Sequence, residues 1–297
     1  MSSYRDQVSL LLMVLPEVAK QKCFALHGGT AINLFIRDMP RLSVDIDLTY
    51  IPIEGREKSL SNIIVALKAI QTSIHKIFPN FQVALKEKIL KLQISNSKAL
   101  IKLEVNQVNR GLLDEVFELP LGKNTQKEFN AFCAIQVVSL AQLYGGKICA
   151  ALDRQHPRDL FDVKYLLDRE GLTENIKKGF LLLLLCSNRP MNEMLNPNLL
   201  DQQEVMVHHF AGMTFEIFTY KDFEKTRQTM IELIHQSLTD YDKQFLLAFN
   251  NLKPDWSVYD FKKFPAIQWK LKNLTKLKEK NKEKFNELNS SLSKLLN

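Results

Sequence analysis

The chain of 297 residues is poor in the residues that build disulfide or metal frameworks. Its four cysteines, Cys23, Cys133, Cys149 and Cys186, are scattered without paired spacing, which excludes a zinc ribbon or a cystine-stapled scaffold. They are expected to be small buried hydrophobes in a reducing compartment. The six histidines show no metal-ligand spacing either, and His208-His209 reads as a surface pair. No secretory succession of basic, apolar and small residues opens the chain. The apolar run from Phe180 to Cys186 is too short to span a bilayer and is expected to be a core helix. A cytoplasmic protein without a membrane partner follows as the expectation. Internal repeats are absent as well.

What is present organises into two parts. An amphipathic helix with Val8, Leu11, Leu12 and Leu15 opens the chain, and a long helix is expected from about Glu57 to Phe78, with Ile63, Ile64, Leu67, Ile70 and Ile74 at helical spacing. Alternating segments near Phe81 to Leu85, Ile89 to Ile94 and Ala99 to Asn106 complete a mixed sheet. From about Phe129 the pattern turns mainly helical. The expected class is therefore α+β, with a sheet-bearing domain over 1–128 and a mainly helical domain over 129–297. The net charge of +7 points to an anionic partner, but much of the excess sits in the C-terminal tail and says little about a cleft.

The chemistry concentrates in Leu26-His27-Gly28-Gly29-Thr30 and Arg41-Leu42-Ser43-Val44-Asp45-Ile46-Asp47-Leu48. This reads as strand, glycine turn, helix and second strand. Side chains two apart on a strand share a face at about 6 to 7 Å, so Asp45 and Asp47 can share a magnesium ion or grip two. Two glycines before a helix N-terminus offer bare N–H groups to a phosphate, and the helix dipole favours its charge. A phosphate cradle beside metal-binding carboxylates describes nucleotidyl transfer. Between this unit and the helical part, Ile101, Leu103 and Val105 alternate with Lys102, Glu104 and Asn106. Glu104 is either a third carboxylate for a two-metal site or part of the polar face of an edge strand.

Gly28-Gly29-Thr30 with Arg41, Ser43, Asp45 and Asp47 resembles the nucleotidyltransferase superfamily, and more closely the AbiEii-type toxins of abortive-infection (phage-defence) and toxin–antitoxin systems. The superfamily pattern has glycine then serine or glycine, a spacer with Arg-x-Ser, and Asp-x-Asp. Gly29 stands where many members have serine, so a hydroxyl contact to phosphate is missing unless Thr30 supplies it. A second block, Ser139 to Leu152 followed by Asp153-Arg154-Gln155-His156-Pro157-Arg158-Asp159-Leu160-Phe161-Asp162, resembles the family's lysine helix and Arg-Asp-Leu-Phe-Asp segment. The resemblance assigns Lys147 and Asp159 to the site, with Asp162 as the nearby competitor. Read without it, Lys147 is an ordinary surface lysine of a helix. Arg154 and Arg158 either hold a phosphate or RNA backbone, or Arg158 pairs with Asp162 one turn later. Family members also carry a Lys-x-Glu-x-Asn segment, which favours Glu104 as a metal ligand.

The resemblance implies an NTP as donor substrate, Mg2+ (or Mn2+) as cofactor, RNA and in particular tRNA as acceptor, and a separately encoded antitoxin that forms no stable complex. Transfer to a small molecule or protein, and a nucleotide-binding module without turnover, are the alternatives. Near the C-terminus, Trp256, Phe261, Phe264 and Trp269 are expected to pack between helices. The lysine-rich stretch from Lys270 to Lys284, continued by Leu288, Leu292 and Leu295, reads as a solvated terminal helix, with a basic RNA-binding arm or a partner-binding helix as the other options.

Overall fold

The computed structural model describes residues 3–297, which fall into two compact units: 3–139 with Phe210–Ile217, and Leu140–His209 with Phe218–Asn297. The architecture is α+β. The first unit carries helices α1 (Tyr4–Ala19), α2 (Gly28–Thr30), α3 (Arg56–Ile77) and α4 (Lys123–Phe129), and strands β1 (Phe24–His27), β2 (Asp45–Tyr50), β3 (Gln82–Lys86), β4 (Lys91–Ser95), β5 (Leu100–Val105), β6 (Phe117–Pro120) and β7 (Ala134–Val137). Among the described residues these strands form one mixed sheet in the order β3-β4-β5-β2-β1-β7-β6. Strand β2 sits centrally, antiparallel to β1 and parallel to β5.

Alternation sets the two faces of this sheet. Leu26, Leu48 and Val105 lie in one register row and Ile46, Leu103 and Leu92 in the next, all of them buried. Helices α1 and α3 contribute Leu11, Leu15, Ile63, Leu67 and Ile70 to the same core, each removed from solvent. The opposite face of β2 is left to Asp45, Asp47 and Thr49. Helix α1 starts at a capping box in which Ser3 and Asp6 satisfy each other's backbone N–H groups, and α3 spans nearly the stretch that its spacing announces. Strand β7 pairs in parallel with β1, through Leu26 and Val137, and the sheet-bearing unit runs on to Ser139. A four-residue strand of Ala-Ile-Gln-Val is too short to announce itself against a helical background.

The second unit is helical: α5 (Leu140–Arg154), α6 (Pro157–Arg169), α7 (Glu174–Cys186), α8 (Met191–Leu195), α9 (Gln203–His209), α10 (Tyr220–Ser237), α11 (Asp240–Asn250), α12 (Pro265–Lys280) and α13 (Lys282–Leu296). Backbone contact fixes its centre. A Cβ on Gly145 would overlap the Gly179 carbonyl, and one on Gly179 would overlap the carbonyl of Ala141, so α5 and α7 cross as closely as helices can. The apolar run within α7 is the expected core helix, with Phe180, Leu181, Leu182, Leu184 and Leu185 buried. No described helix is long and apolar enough to cross a membrane. The four cysteines are unpaired; Cys133 and Cys149 are buried, and burial pushes their thiols above the ordinary value, Cys133 to about 11.

Candidate active site

The first cluster is built by the glycine turn. Gly28 has φ of +72°, a left-handed conformation that glycine adopts without a steric penalty, and a Cβ there would lie 2.5 Å from Asp47 Oδ2. The carboxylate of Asp47 therefore sits directly over the turn. A Cβ on Gly29 would lie 2.8 Å from Arg41 Nη2 and 3.0 Å from Ser43 Oγ. All of Gly28, Gly29, Thr30, Arg41, Ser43, Asp45 and Asp47 are thus gathered within the first unit. After α2 the chain continues as a π-helical stretch, Ala31–Ile36, in which Arg37 N donates to Ile32 O at 2.8 Å. Wide turns of this kind are frequent at functional sites.

Hydrogen bonds tie the turn to the acidic strand. The Thr30 hydroxyl donates to the Asp45 carbonyl at 2.5 Å, lies 3.1 Å from Ser43 Oγ, and is fully buried. The hydroxyl contact to phosphate considered for Thr30 is thus spent on positioning β2, and its backbone N–H remains as its means of meeting an anion. Arg41, 2% exposed, donates from Nη1 to the Leu42 carbonyl at 2.9 Å. The loop leading to Asp45 is pinned from a distant part of the chain: Leu42 N donates to Met213 O at 2.6 Å, and Thr214 Oγ1 to Pro40 O at 3.0 Å.

Register fixes what neighbours the aspartates. His27, Asp47, Glu104 and Lys91 form one row across β1, β2, β5 and β4, and Asp45, Lys102 and Gln93 form the next. Glu104 therefore stands beside Asp47, but its Oε1 pairs with Lys91 Nζ at 2.5 Å. Among the described residues no three histidines, cysteines or acids cluster as a metal cage. Two residues in this cluster escape sequence reading. His27 lies opposite Asp47, with its Nδ1 3.5 Å from Thr49 Oγ1, and Asn33 donates from Nδ2 to the Gly29 carbonyl at 2.9 Å, pinning the turn. Position alone marks them, the last residue of a strand and one turn beyond the glycines.

The second cluster lies within the helical unit. Lys147, on α5, is only 7% exposed, so it is not the ordinary surface lysine that its helix could equally have carried. Its Nζ meets Asp159 Oδ1 at 2.8 Å and Asp162 Oδ2 at 3.1 Å, both from α6. The two aspartates that compete in the sequence therefore share one cation. Asp159 also receives Arg154, Nε to Oδ2 at 2.5 Å and Nη2 to Oδ1 at 3.0 Å. Burial opposes ionisation of Asp159, but Lys147 and Arg154 outweigh it and hold the carboxyl well below the ordinary carboxylate range. The Arg158–Asp162 pair does not form: the Arg158 Nε is buried without a hydrogen-bond partner, while Asp162 meets Lys147. Pro157 at the first position of α6 follows the N-cap His156, whose Nδ1 accepts from Arg158 N at 3.1 Å. Burial, then the charge of Arg158, pulls His156 down to about 4.

The C-terminal aromatics pack as expected, Phe245 against Trp256, Tyr259 and Phe261, although Trp269 is largely exposed. Lys270 donates to the carbonyls of Ser187 at 2.6 Å and Arg189 at 2.9 Å, beyond the end of α7, and burial lowers it to about 8. Helix α13 docks through Phe285, Leu292 and Leu296, all buried, while the lysines from Lys272 to Lys284 face solvent.

A family model described as the nucleotidyl transferase AbiEii toxin of type IV toxin–antitoxin systems matches residues 9–273. No curated protein matches the chain. Among solved structures, the nucleotidyltransferase toxin MenT4 of Mycobacterium tuberculosis superposes with a TM-score of 0.62 over 90% of this chain and 93% of that one, at 13% identity, a likeness of fold.

Proposed function

The chain belongs to the AbiEii nucleotidyl transferase toxin family of type IV toxin–antitoxin systems, and from that premise we propose that it transfers a nucleoside monophosphate from an NTP to an RNA acceptor, tRNA in particular, with Mg2+ or Mn2+ as cofactor. The observation that carries the reading is the seating of the Asp47 carboxylate over the glycine turn, with Asp45 on the same strand face. Carboxylates beside a turn of bare amides support a metal and a phosphate as their ligands.

Asp45 and Asp47 offer hard carboxylate oxygens, and Mg2+ is commonly held by one or two carboxylates with substrate phosphates and water filling the rest. Bound there, the metal would neutralise triphosphate charge and favour displacement of pyrophosphate. The backbone N–H groups of Gly28, Gly29 and Thr30 cradle the terminal phosphates, while Arg41 and Ser43 hold the turn against β2 and add positive charge and a hydroxyl beneath it. Glu104 is the third carboxylate, with Lys91 as the cation it would exchange. We assign phosphate-facing roles to Lys147, Arg154 and Arg158, with Asp159 orienting the first two. A separately encoded antitoxin acting without a stable complex, and a role in phage defence, follow from the same reading.

Incubation with each labelled NTP and total RNA, resolved on a gel, tests it. A labelled tRNA-sized band with one NTP fixes reaction, donor and acceptor together. Labelling of protein or small molecules with no labelled RNA would overturn the acceptor, and no transfer with any NTP would overturn the activity.

A further inference from the structure

Only Gln155 and His156 separate α5 from α6. In so short a connection the backbone of Gln155 sets the direction in which α6 leaves, and with it the point at which Asp159 and Asp162 meet Lys147. Gln155 has φ of +47°, the left-handed conformation in which glycine or asparagine ordinarily follows the end of a helix. A longer side chain is strained there, and this one is held by its far end. Gln155 is 1% exposed. Its Nε2 donates to the Asn198 carbonyl at 2.7 Å, and its Oε1 accepts from Leu200 N at 3.0 Å and from Arg227 Nη1 at 2.9 Å. Arg227, on α10 and itself buried, also donates to the Leu200 carbonyl at 2.7 Å, with its guanidinium carbon 5.0 Å from the centre of the Phe223 ring. One residue before Gln155, the Arg154 carbonyl accepts from Gln202 Nε2 at 3.0 Å. The segment 198–202 and α10 therefore grip the turn that carries Arg154. Glycine would take the same backbone without strain, so what the glutamine adds is this tie.

We propose that Gln155, clamped by Arg227 and the segment 198–202, is a positioning residue for nucleotidyl transfer, fixing the α5–α6 turn so that Lys147, Arg154 and Asp159 keep the arrangement in which they face phosphate. The inference rests on the phosphate-facing roles proposed above for that cluster, and Gln155 acts only through it. Groups preorganised for a transition state lose on the order of a hundredfold in rate when displaced by about 1 Å, so a turn tied from outside has a catalytic consequence.

The test uses the full-length protein and Q155G, which keeps the left-handed turn and removes the clamp. Should Q155G fail to fold, Q155N replaces it, since asparagine tolerates the same backbone and is one methylene short of the partners. Three quantities are measured: single-turnover transfer to RNA at saturating NTP, affinity for a non-hydrolysable NTP analogue with Mg2+, and acetylation of individual lysines by acetic anhydride, read by peptide mass spectrometry. The rate should fall on the order of tenfold or more while analogue affinity stays within about twofold, because contacts made in the transition state are lost and ground-state binding is kept. Lys147 should be acetylated several-fold faster than in the parent, while Lys177, a second buried lysine, on α7, keeps its parental rate. In an active parent both changes must appear together. An unchanged rate, a slower rate with Lys147 still protected, or equal exposure of Lys147 and Lys177 would make Gln155 a residue of general stability and overturn the proposal. A parent that transfers nothing to RNA sinks the functional reading instead, and acetylation of Lys147 against Lys177 then decides alone whether Gln155 positions the cluster.

Discussion

Lys147 holds its charge where water hardly reaches, and two buried aspartates depend on it. Sequence reading of a helix lysine leads one to expect that Lys147→Ala would leave the melting temperature alone; the ion pairs reverse that. Breaking a buried pair strands the remaining charges, so Lys147→Ala should cost about 3 to 5 kcal/mol in urea unfolding, and a second change, Asp162→Asn, should recover part of it. Additive losses in the double variant would contradict the shared-cation geometry. Asp45→Asn differs, since its side chain lies on a half-exposed strand face: transfer should vanish while the thermal melt stays within a degree or two of the parent. Full turnover in that variant would remove Asp45 from the chemistry. His156 supplies a pH signature. Its folded pKa of about 4 lies below the ordinary imidazole value of about 6.5, so folding favours the neutral ring. Its contribution to stability is complete above pH ~6.5 and is lost progressively as the pH falls toward 4. His156→Asn keeps an N-cap acceptor and removes the titration, so melting temperature plotted against pH should be flatter between 7 and 4.5 in that variant than in the parent.

At the level of elements, the strand–turn–strand unit stands or falls on Gly28. Alanine there needs a left-handed backbone and drives a methyl into Asp47 Oδ2, so Gly28→Ala should lose at least about 1 kcal/mol of stability and most of its transfer activity, measured by chemical denaturation and single-turnover labelling. Unaltered kinetics would mean that the turn does not seat the carboxylate. This unit was legible in the sequence because its determinants are local: two glycines, a helix-length spacer and an Asp-x-Asp alternation. Strands β3, β4 and β5 were legible for the same reason, each being an alternating run. Strands β6 and β7 were not, since four residues apiece carry no period, and the pairing of β7 with a distant β1, like that of β6 with β7, is visible only in three dimensions. The burial of Lys147 was equally hidden. It depends on α6 presenting Asp159 and Asp162 to the same point, and on α5 lying against α7 at Gly145 and Gly179, contacts that no spacing within α5 encodes.

Across the whole molecule, the basic C-terminal stretch divides its labour. From Lys272 on its lysines face water, but Phe285, Leu292 and Leu296 belong to the helical core, so truncation after Leu274 should lower the melting temperature by several degrees and would be a poor probe of RNA binding. Charge-reversing the exposed Lys272, Lys276 and Lys280 tests an RNA contact instead: a contact makes the dependence of log affinity on log salt shallower by close to one unit per lysine lost, and an unchanged slope leaves these residues as a solvated face. The chain also passes between its two units three times, because Phe210–Ile217 returns to pin Pro40 and Leu42. A fragment ending at Ser139 should accordingly show faster amide exchange at Leu42 than the full chain. The return has a consequence in time. During translation the glycine turn and both aspartates emerge early, yet the strap that fixes the loop ahead of Asp45 is made only after about 170 further residues, roughly 10 to 30 seconds later. A ribosome that stops before residue 217 therefore releases a chain bearing both aspartates with the approach to them still unfastened.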